Sequence, residues 1–348
     1  MKKLLRRTPS PAGTGPAPRS RTALALVAAP LAALLLAVTG CSSGSESGSE
    51  SGSPSGSGAF PATVQTTFGD VTVEEKPERV VALGWGDAET ALALGVQPVG
   101  QSDWLEFGGD GVGPWAKGRY DERPQKIGTL EPEYEKIAAL KPDLILDTKS
   151  SGDQERYDTL SKIAPTVGIP EGGERYMSSW KKQTEMVSTA LGEEKRGRQL
   201  IRDVEGEFAA AKKKHPEFHG KTVTLGSRTA SSWGAYVHGT GRAEFVERLG
   251  FENNPAVEKR AGKNFSVSVS EENLDQLDAD LMVTAPIGVT AKKIESDPLY
   301  RKIPAVADGR ALVFEDDSNL GRAFATDSVL SVSYALDKVV PLFAEHVK

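Results

Sequence analysis

Aromatic rings and guanidinium groups at the ends of β-strands can hold an organic molecule with clustered oxygens, and the sequence places both there. Four of the five tryptophans follow short β-branched or aliphatic runs: Trp85 after 79–83, Trp104 and Trp115 after 98–101, and Trp233 after 222–226. Arg228, Tyr236, Arg322 and Phe324 fall at strand ends of the second half of the chain. In open parallel sheets a ligand sits at the carboxyl ends of the strands. There the rings would bury an apolar scaffold, and each arginine would donate paired hydrogen bonds to oxygens. Packing under a loop explains any one of these rings, and solvation any one of these arginines. The cluster argues for a binding cleft more strongly than its members do.

Bond-making chemistry finds less support. Beyond residue 60 the sequence has no G-x-S-x-G elbow, no G-x-x-x-x-G-K-[ST] loop and no H-E-x-x-H. Gly239-Thr240-Gly241 is a lone fragment of a glycine-rich loop, and Asp316-Asp317 reads as a loop rather than a metal site. Capture of a bare metal ion needs several convergent histidines or carboxylates. Of four histidines, His215, His219 and His346 sit near helix ends, and only His238 is near the expected cleft. No protein-bound metal and no resident cofactor are expected.

The formal net charge of −6 hides an asymmetry. Residues 1–40 carry six basic side chains and no acid, which leaves 36 basic against 48 acidic residues, or −12, in the remainder. That balance argues against a nucleic-acid partner. Thr22 to Thr39 is an uncharged, mostly apolar run behind the basic segment, as in an export signal. The single cysteine closes Val38-Thr39-Gly40-Cys41, which resembles the bacterial lipobox. The resemblance implies a lipoprotein signal peptide over 1–40 and lipidation of Cys41. One cysteine excludes an intramolecular disulfide and a cysteine metal cluster. Ser42 to Gly58 is nearly all Ser, Gly and Glu, so residues 41–59 read as a flexible tether with a mean span of about 20–25 Å. The folded body is expected outside the cytoplasm, anchored to the cell membrane.

From Phe60 onward apolar runs alternate with amphipathic ones, which predicts an α/β protein with mostly parallel sheets covered on both faces. Strands are expected at 79–83, 98–101, 143–147, 166–169, 222–226, 265–269, 281–284 and 311–314. Helices are expected at 88–94, 134–140, 155–163, 178–191, 241–249, 271–277, 298–303 and 328–346. The two halves echo one another. Residues 135–146 align without gaps to 272–283, with Glu135/Glu272, Leu140/Leu277, Asp143/Asp280 and Leu144/Leu281 identical. Leu83-Gly84 likewise echoes Leu225-Gly226. Between the halves, 193–214 carries the marks of one long helix: acids at the start, Lys212, Lys213 and Lys214 at the end, then Pro216. Ile201, Val204, Phe208 and Ala211 form its apolar stripe, and at 1.5 Å per residue it reaches roughly 33 Å. Gly197 and Gly206 mark where it would bend or meet a neighbour closely. The organisation is therefore an N-terminal lobe over 60–192, a connecting helix over 193–216 and a C-terminal lobe over 217–348, each lobe Rossmann-like.

The runs 77–100 (PERVVALGWGDAETALALGVQPVG), 133–147 (EYEKIAALKPDLILD), 270–283 (SEENLDQLDADLMV) and 297–310 (DPLYRKIPAVADGR) resemble the periplasmic-binding proteins for ferric siderophores and cobalamin. The likeness covers nearly all of 60–348. It implies two α/β lobes joined by one long helix, a ligand held between them as an Fe(III)-siderophore complex, and delivery to an ABC import permease dimer. It also implies that the protein is not an enzyme and works as a monomer, and that Glu135 and Glu272, one per lobe, dock to arginines of the permease. Carboxylates favour helix N-termini in any case, which alone would place them there. Haem, with His238 or Tyr236 as axial ligand, and cobalamin fit the same architecture. A lipid-anchored hydrolase, or a sensing or adhesion lipoprotein, stays open because fold does not fix function.

Overall fold

The computed structural model describes residues 59–347 apart from Thr129 and Asp316. The expected signal peptide, Cys41, nearly all of the expected tether and Asp316 lie outside the described residues. The body opens with a hairpin that the sequence pattern had not indicated, β1 (Ala62–Thr66) and β2 (Gly69–Val73), whose alternate residues are buried because one face covers a core. The N-terminal lobe follows with β3 (Val80–Ala82), α1 (Asp87–Leu94), β4 (Gly100–Ser102), β5 (Gln125–Ile127), α2 (Tyr134–Ala139), β6 (Leu144–Leu146), α3 (Gln154–Leu160), β7 (Thr166–Val167) and α4 (Trp180–Ala190). Its strands lie in the order β5-β4-β3-β6-β7, all parallel. β3 and β6, Val-Val-Ala and Leu-Ile-Leu, are buried at every residue, as strands covered on both faces must be.

α5 (Glu194–Lys214) then carries the chain to the second lobe. That lobe contains β8 (Thr222–Arg228), β9 (Trp233–Tyr236), α6 (Gly241–Leu249), β10 (Glu252–Asn253), α7 (Pro255–Glu258), β11 (Ser266–Val269) and β12 (Leu281–Pro286). It continues with α8 (Ala291–Glu295), α9 (Pro304–Ala307), β13 (Ala311–Val313), α10 (Asn319–Thr326), α11 (Val329–Lys338) and α12 (Val340–His346). The sheet order is β11-β9-β8-β12-β13, with β10 also paired to β8. Here the sheet is mixed: β10, β12 and β13 pair in parallel, and only β9 is reversed, antiparallel to both β8 and β11, so that β11 again points the same way as β8. A turn at 229–232, closed by Thr229 N donating to Ser232 O, sends the chain straight back beside β8 as a hairpin. Trp233 and Tyr236 therefore lie on a strand rather than in a strand-end loop, and Arg322 and Phe324 lie on a helix. Residues 271–277 form a 3₁₀ segment, and 328–346 divides into α11 and α12 at Val339, where Pro341 removes a backbone donor.

The echo between the halves has a structural cause. Asp143, just before β6, accepts hydrogen bonds from the backbone N–H of Glu78 and Arg79 at 2.8 and 2.9 Å, at the start of β3. Asp280, just before β12, accepts one from Thr222 N–H at 2.8 Å, at the start of β8. Each carboxylate pins the amino end of its strand to that of the central neighbour. The Leu-Gly echo is looser, since Gly84 follows β3 whereas Gly226 lies inside β8.

Ile201, Val204 and Phe208 of α5 are buried, while Ala211 is only half-buried. Phe208 lies 6.4 Å from Trp180 of α4 and 5.4 Å from Phe245 of α6, so one ring bridges the two lobes. α11 packs on α5 and also returns to α1 and α4 of the first lobe. The two glycines of α5 differ in role. A Cβ at Gly197 would strike Ser188 of α4, 2.5 Å from its Cβ, whereas one at Gly206 would meet nothing within 4 Å. Gly197 thus permits close helix packing, and Gly206 faces solvent.

Candidate ligand-binding cleft

A cavity of about 360 Å³ opens between the sheets and is lined from both lobes. On the first-lobe side, short loops after β3 and β4 deliver Trp85 and Trp104. The Trp85 ring is stacked between Trp104, at 4.1 Å, and Tyr176, at 4.3 Å. Tyr176 comes from the connection between β7 and α4 and holds a left-handed backbone at φ 58°. Tyrosine rarely adopts that conformation without compensation, and here Tyr176 N donates to Ser150 O at 2.8 Å. On the second-lobe side Tyr236, Phe324, Phe265 and Ile287 give apolar surface. Arg242 lies 4.4 Å over the Tyr236 ring, and Arg322 faces Phe107 of the other lobe at 5.5 Å. The Nε of Arg322 is buried without a partner in the protein.

Of the eight residues expected to contact a ligand, five line this cavity: Trp85, Trp104, Tyr236, Arg322 and Phe324. Trp115 sits in a 3₁₀ turn and packs against Phe107 and against Tyr334 of α11, at 5.7 and 5.3 Å. Trp233 is buried in the second lobe, stacked on Tyr300 at 5.4 Å. Arg228 ends β8 with its guanidinium 4.9 Å over the Trp233 ring and 3.9 Å from Glu271. The sequence reading missed Tyr176, Lys149, Arg242 and Asp327. Arg242 was within reach of it, one residue past the Gly239-Thr240-Gly241 fragment. Among the described residues no group of three or more His, Cys, Asp and Glu side chains could hold a metal ion. His238 is exposed, and its ring meets Glu247 at 2.8 Å; that hydrogen bond holds its pKa above the usual value.

Polar contacts anchor the first-lobe loops. Asp147 and Arg156 form a buried two-pronged pair at 2.6 and 2.9 Å, which fixes the end of β6. The next residues, Thr148 and Lys149, reach inward. Asp87, wholly buried in the first turn of α1, accepts hydrogen bonds from Thr148 N at 3.0 Å, from the Thr148 hydroxyl and from Gln183 Nε2 at 2.8 Å. Burial pushes its carboxyl up to about 6, against the pull of those hydrogen bonds. Gly84 is required beside it, because a Cβ there would meet the Asp87 carboxylate and lie 2.8 Å from Lys149 N.

Two consecutive residues tie the second lobe to the first. Asp327, left-handed at φ 50°, receives Lys149 Nζ at 2.9 Å. The Ser328 hydroxyl, which also caps α11, donates to Glu89, whose carboxyl is pushed up by burial. Glu135 and Glu272 are exposed in the first turns of α2 and of the 271–277 segment. Each of those segments runs back against its neighbouring strands, so its start lies at the cleft edge of its sheet.

Two α/β lobes bridged by one helix, with an aromatic cleft at the strand ends, are the architecture of a two-lobed solute-binding protein. The chain belongs to the periplasmic binding protein family, whose profile matches residues 80–319. It is 29% identical over 260 residues to the probable siderophore-binding lipoprotein YfiY of Bacillus subtilis, covering 70% of this chain and 77% of that one. It is 28% identical over 257 residues to the Fe(3+)-citrate-binding protein YfmC of the same organism, covering 72% and 77%. The crystal structure of Streptococcus pneumoniae PiaA in complex with ferrichrome superposes with a TM-score of 0.72 at 30% identity, over 82% of this chain and all of that one.

Proposed function

We propose that the protein captures a ferric siderophore between its lobes and delivers it to an ABC import permease, acting by binding without chemical turnover. The observation that carries this reading is the cleft itself. Stacked indoles and a tyrosine on one wall face arginines and apolar side chains on the other, at the strand ends where ligands of α/β folds bind. In this reading Trp85, Trp104, Tyr236, Arg322 and Phe324 touch the ligand, while Trp115, Trp233 and Arg228 support the walls. The likeness to a ferrichrome-binding structure and to siderophore- and citrate-binding relatives supports the same ligand class. The protein works as a monomer outside the cytoplasm, tethered through lipidated Cys41, and Glu135 and Glu272 dock one on each permease subunit.

Titrating the purified protein with ferric hydroxamates, ferric catecholates, ferric citrate, haem and cobalamin tests the reading through tryptophan fluorescence. Micromolar or tighter quenching by a ferric chelate is expected; haem or cobalamin binding alone would overturn it. For docking, Glu135→Ala combined with Glu272→Ala is expected to keep ligand affinity and abolish uptake of radiolabelled iron. Unchanged uptake in the double variant would remove those two residues from the permease contact.

A further inference from the structure

We infer that the cleft selects a ferric chelate of near-zero net charge that offers both oxygen acceptors and an N–H donor, as a ferric trihydroxamate does, over multiply anionic ferric catecholates and citrates, and that Asp327 sets this discrimination. The inference rests on the ferric-siderophore reading above and narrows it. Among the described residues, the basic side chains lining the cavity are Lys149, Arg242 and Arg322 and the acidic ones Glu315 and Asp327, a formal balance of one positive charge. Lys149 is not free to meet an anion. Its Nζ lies 2.9 Å from Asp327 Oδ2 and donates to the Asp327 carbonyl at 3.2 Å, and the two side chains are 5% and 4% exposed. A trianionic chelate would therefore enter a low-dielectric cleft that can neutralise only part of its charge.

Two orphaned groups sharpen the argument. Asp327 Oδ1 is buried without a hydrogen-bond partner, and so is Arg322 Nε. The first can only accept and the second can only donate. Gly241, at the start of α6, leaves room for the Asp327 carboxylate, since a Cβ there would overlap it. That position puts the carboxylate beside the positive end of a helix and next to Lys149. A ligand that places an amide or ammonium N–H on Oδ1 and an oxygen on Nε satisfies both. A citrate or catecholate oxygen facing Oδ1 would set acceptor against acceptor.

Binding of ferrichrome, ferric enterobactin and ferric dicitrate to the purified protein, followed by fluorescence at fixed ionic strength, tests the proposal. Ferrichrome is expected to bind at least about tenfold more tightly than either anionic chelate. Equal or tighter binding of an anionic chelate overturns the inference and leaves the ferric-siderophore function standing; no binding by any of the three overturns both. Asp327→Asn is expected to shrink the preference at least about fivefold, mainly through tighter binding of the anionic chelates. Because that variant strands Lys149, the pair Lys149→Met with Asp327→Asn is measured beside it. An unchanged preference in folded protein carrying either substitution removes Asp327 as its determinant.

Discussion

Asp87 makes the protein gain stability as the solution is acidified from neutrality, and the size of that gain follows from its surroundings. The carboxyl is wholly buried and titrates near 6, against 3.8 in an unfolded chain. Above pH 6 both states carry the charge, and the native state bears the full penalty of burying it. As the pH falls through 6 the native carboxyl takes up its proton first, and the penalty is relieved until the unfolded state is protonated as well, near 3.8. The total relief is about 3 kcal/mol, of which about 1 kcal/mol falls between pH 7 and pH 5. Other groups titrate in the same window, so the measurement is a difference. Wild type and Asp87→Asn are unfolded in urea at pH 7, 6 and 5, and the stability gap between them is expected to move by about 1 kcal/mol in favour of wild type on going from pH 7 to pH 5. The substitution carries its own pH-independent cost, because an amide N–H would replace an oxygen that accepts from Thr148 or Gln183; that offset cancels in the pH dependence. A gap constant to within about 0.3 kcal/mol would refute the reasoning and place the carboxyl in the ordinary range.

Four further substitutions probe the framework and the cleft. Arg156→Met leaves the buried Asp147 carboxylate without its two-pronged partner, which should remove about 3–5 kcal/mol and lower the Tm by roughly 5–8 °C in a calorimetric scan; a loss under about 1 kcal/mol would mean that the pair is not the anchor of the β6 loop. The two glycines of α5 should respond with opposite sign: Gly197→Val drives a side chain into Ser188 and loses about 1–3 kcal/mol, while Gly206→Ala gains about 0.5–1 kcal/mol in helix propensity, both read from urea midpoints. Trp85→Ala empties the middle of the three-ring stack, so the Kd of the best ferric chelate should rise at least about tenfold by quenching of the remaining tryptophans; an unchanged Kd would place the ligand elsewhere.

Much of this architecture was written in local pattern. Asp143 and Asp280 stand out in the sequence because each pins the start of a central strand, a task that fixes both residue type and spacing. Trp85 and Trp104 were legible because short connections after β3 and β4 leave them nowhere to go but the strand ends. Trp233 was misplaced for a physical reason. A short run beside Gly234 has no alternation long enough to declare a strand, and only pairing with β8 and β11 makes it one. Tyr176 and Asp327 were invisible because their place in the cleft depends on a long connection and on a left-handed residue between α10 and α11. Neither follows from periodicity.

The ties at Asp327 and Ser328 also say something about how the molecule is assembled. Lys149 and Asp327 are separated by 178 residues, and Glu89 and Ser328 by 239. Closing loops of that length before their ends are structured carries a large entropic penalty with little local reward, whereas each sheet can gather its own neighbours first. The clasp between the lobes is therefore a late event, completed only when nearly the whole chain is available. A molecule truncated at the end of α10 would lack both clasp residues and, with α11 and α12, core side chains such as Val332, Ala335 and Phe343.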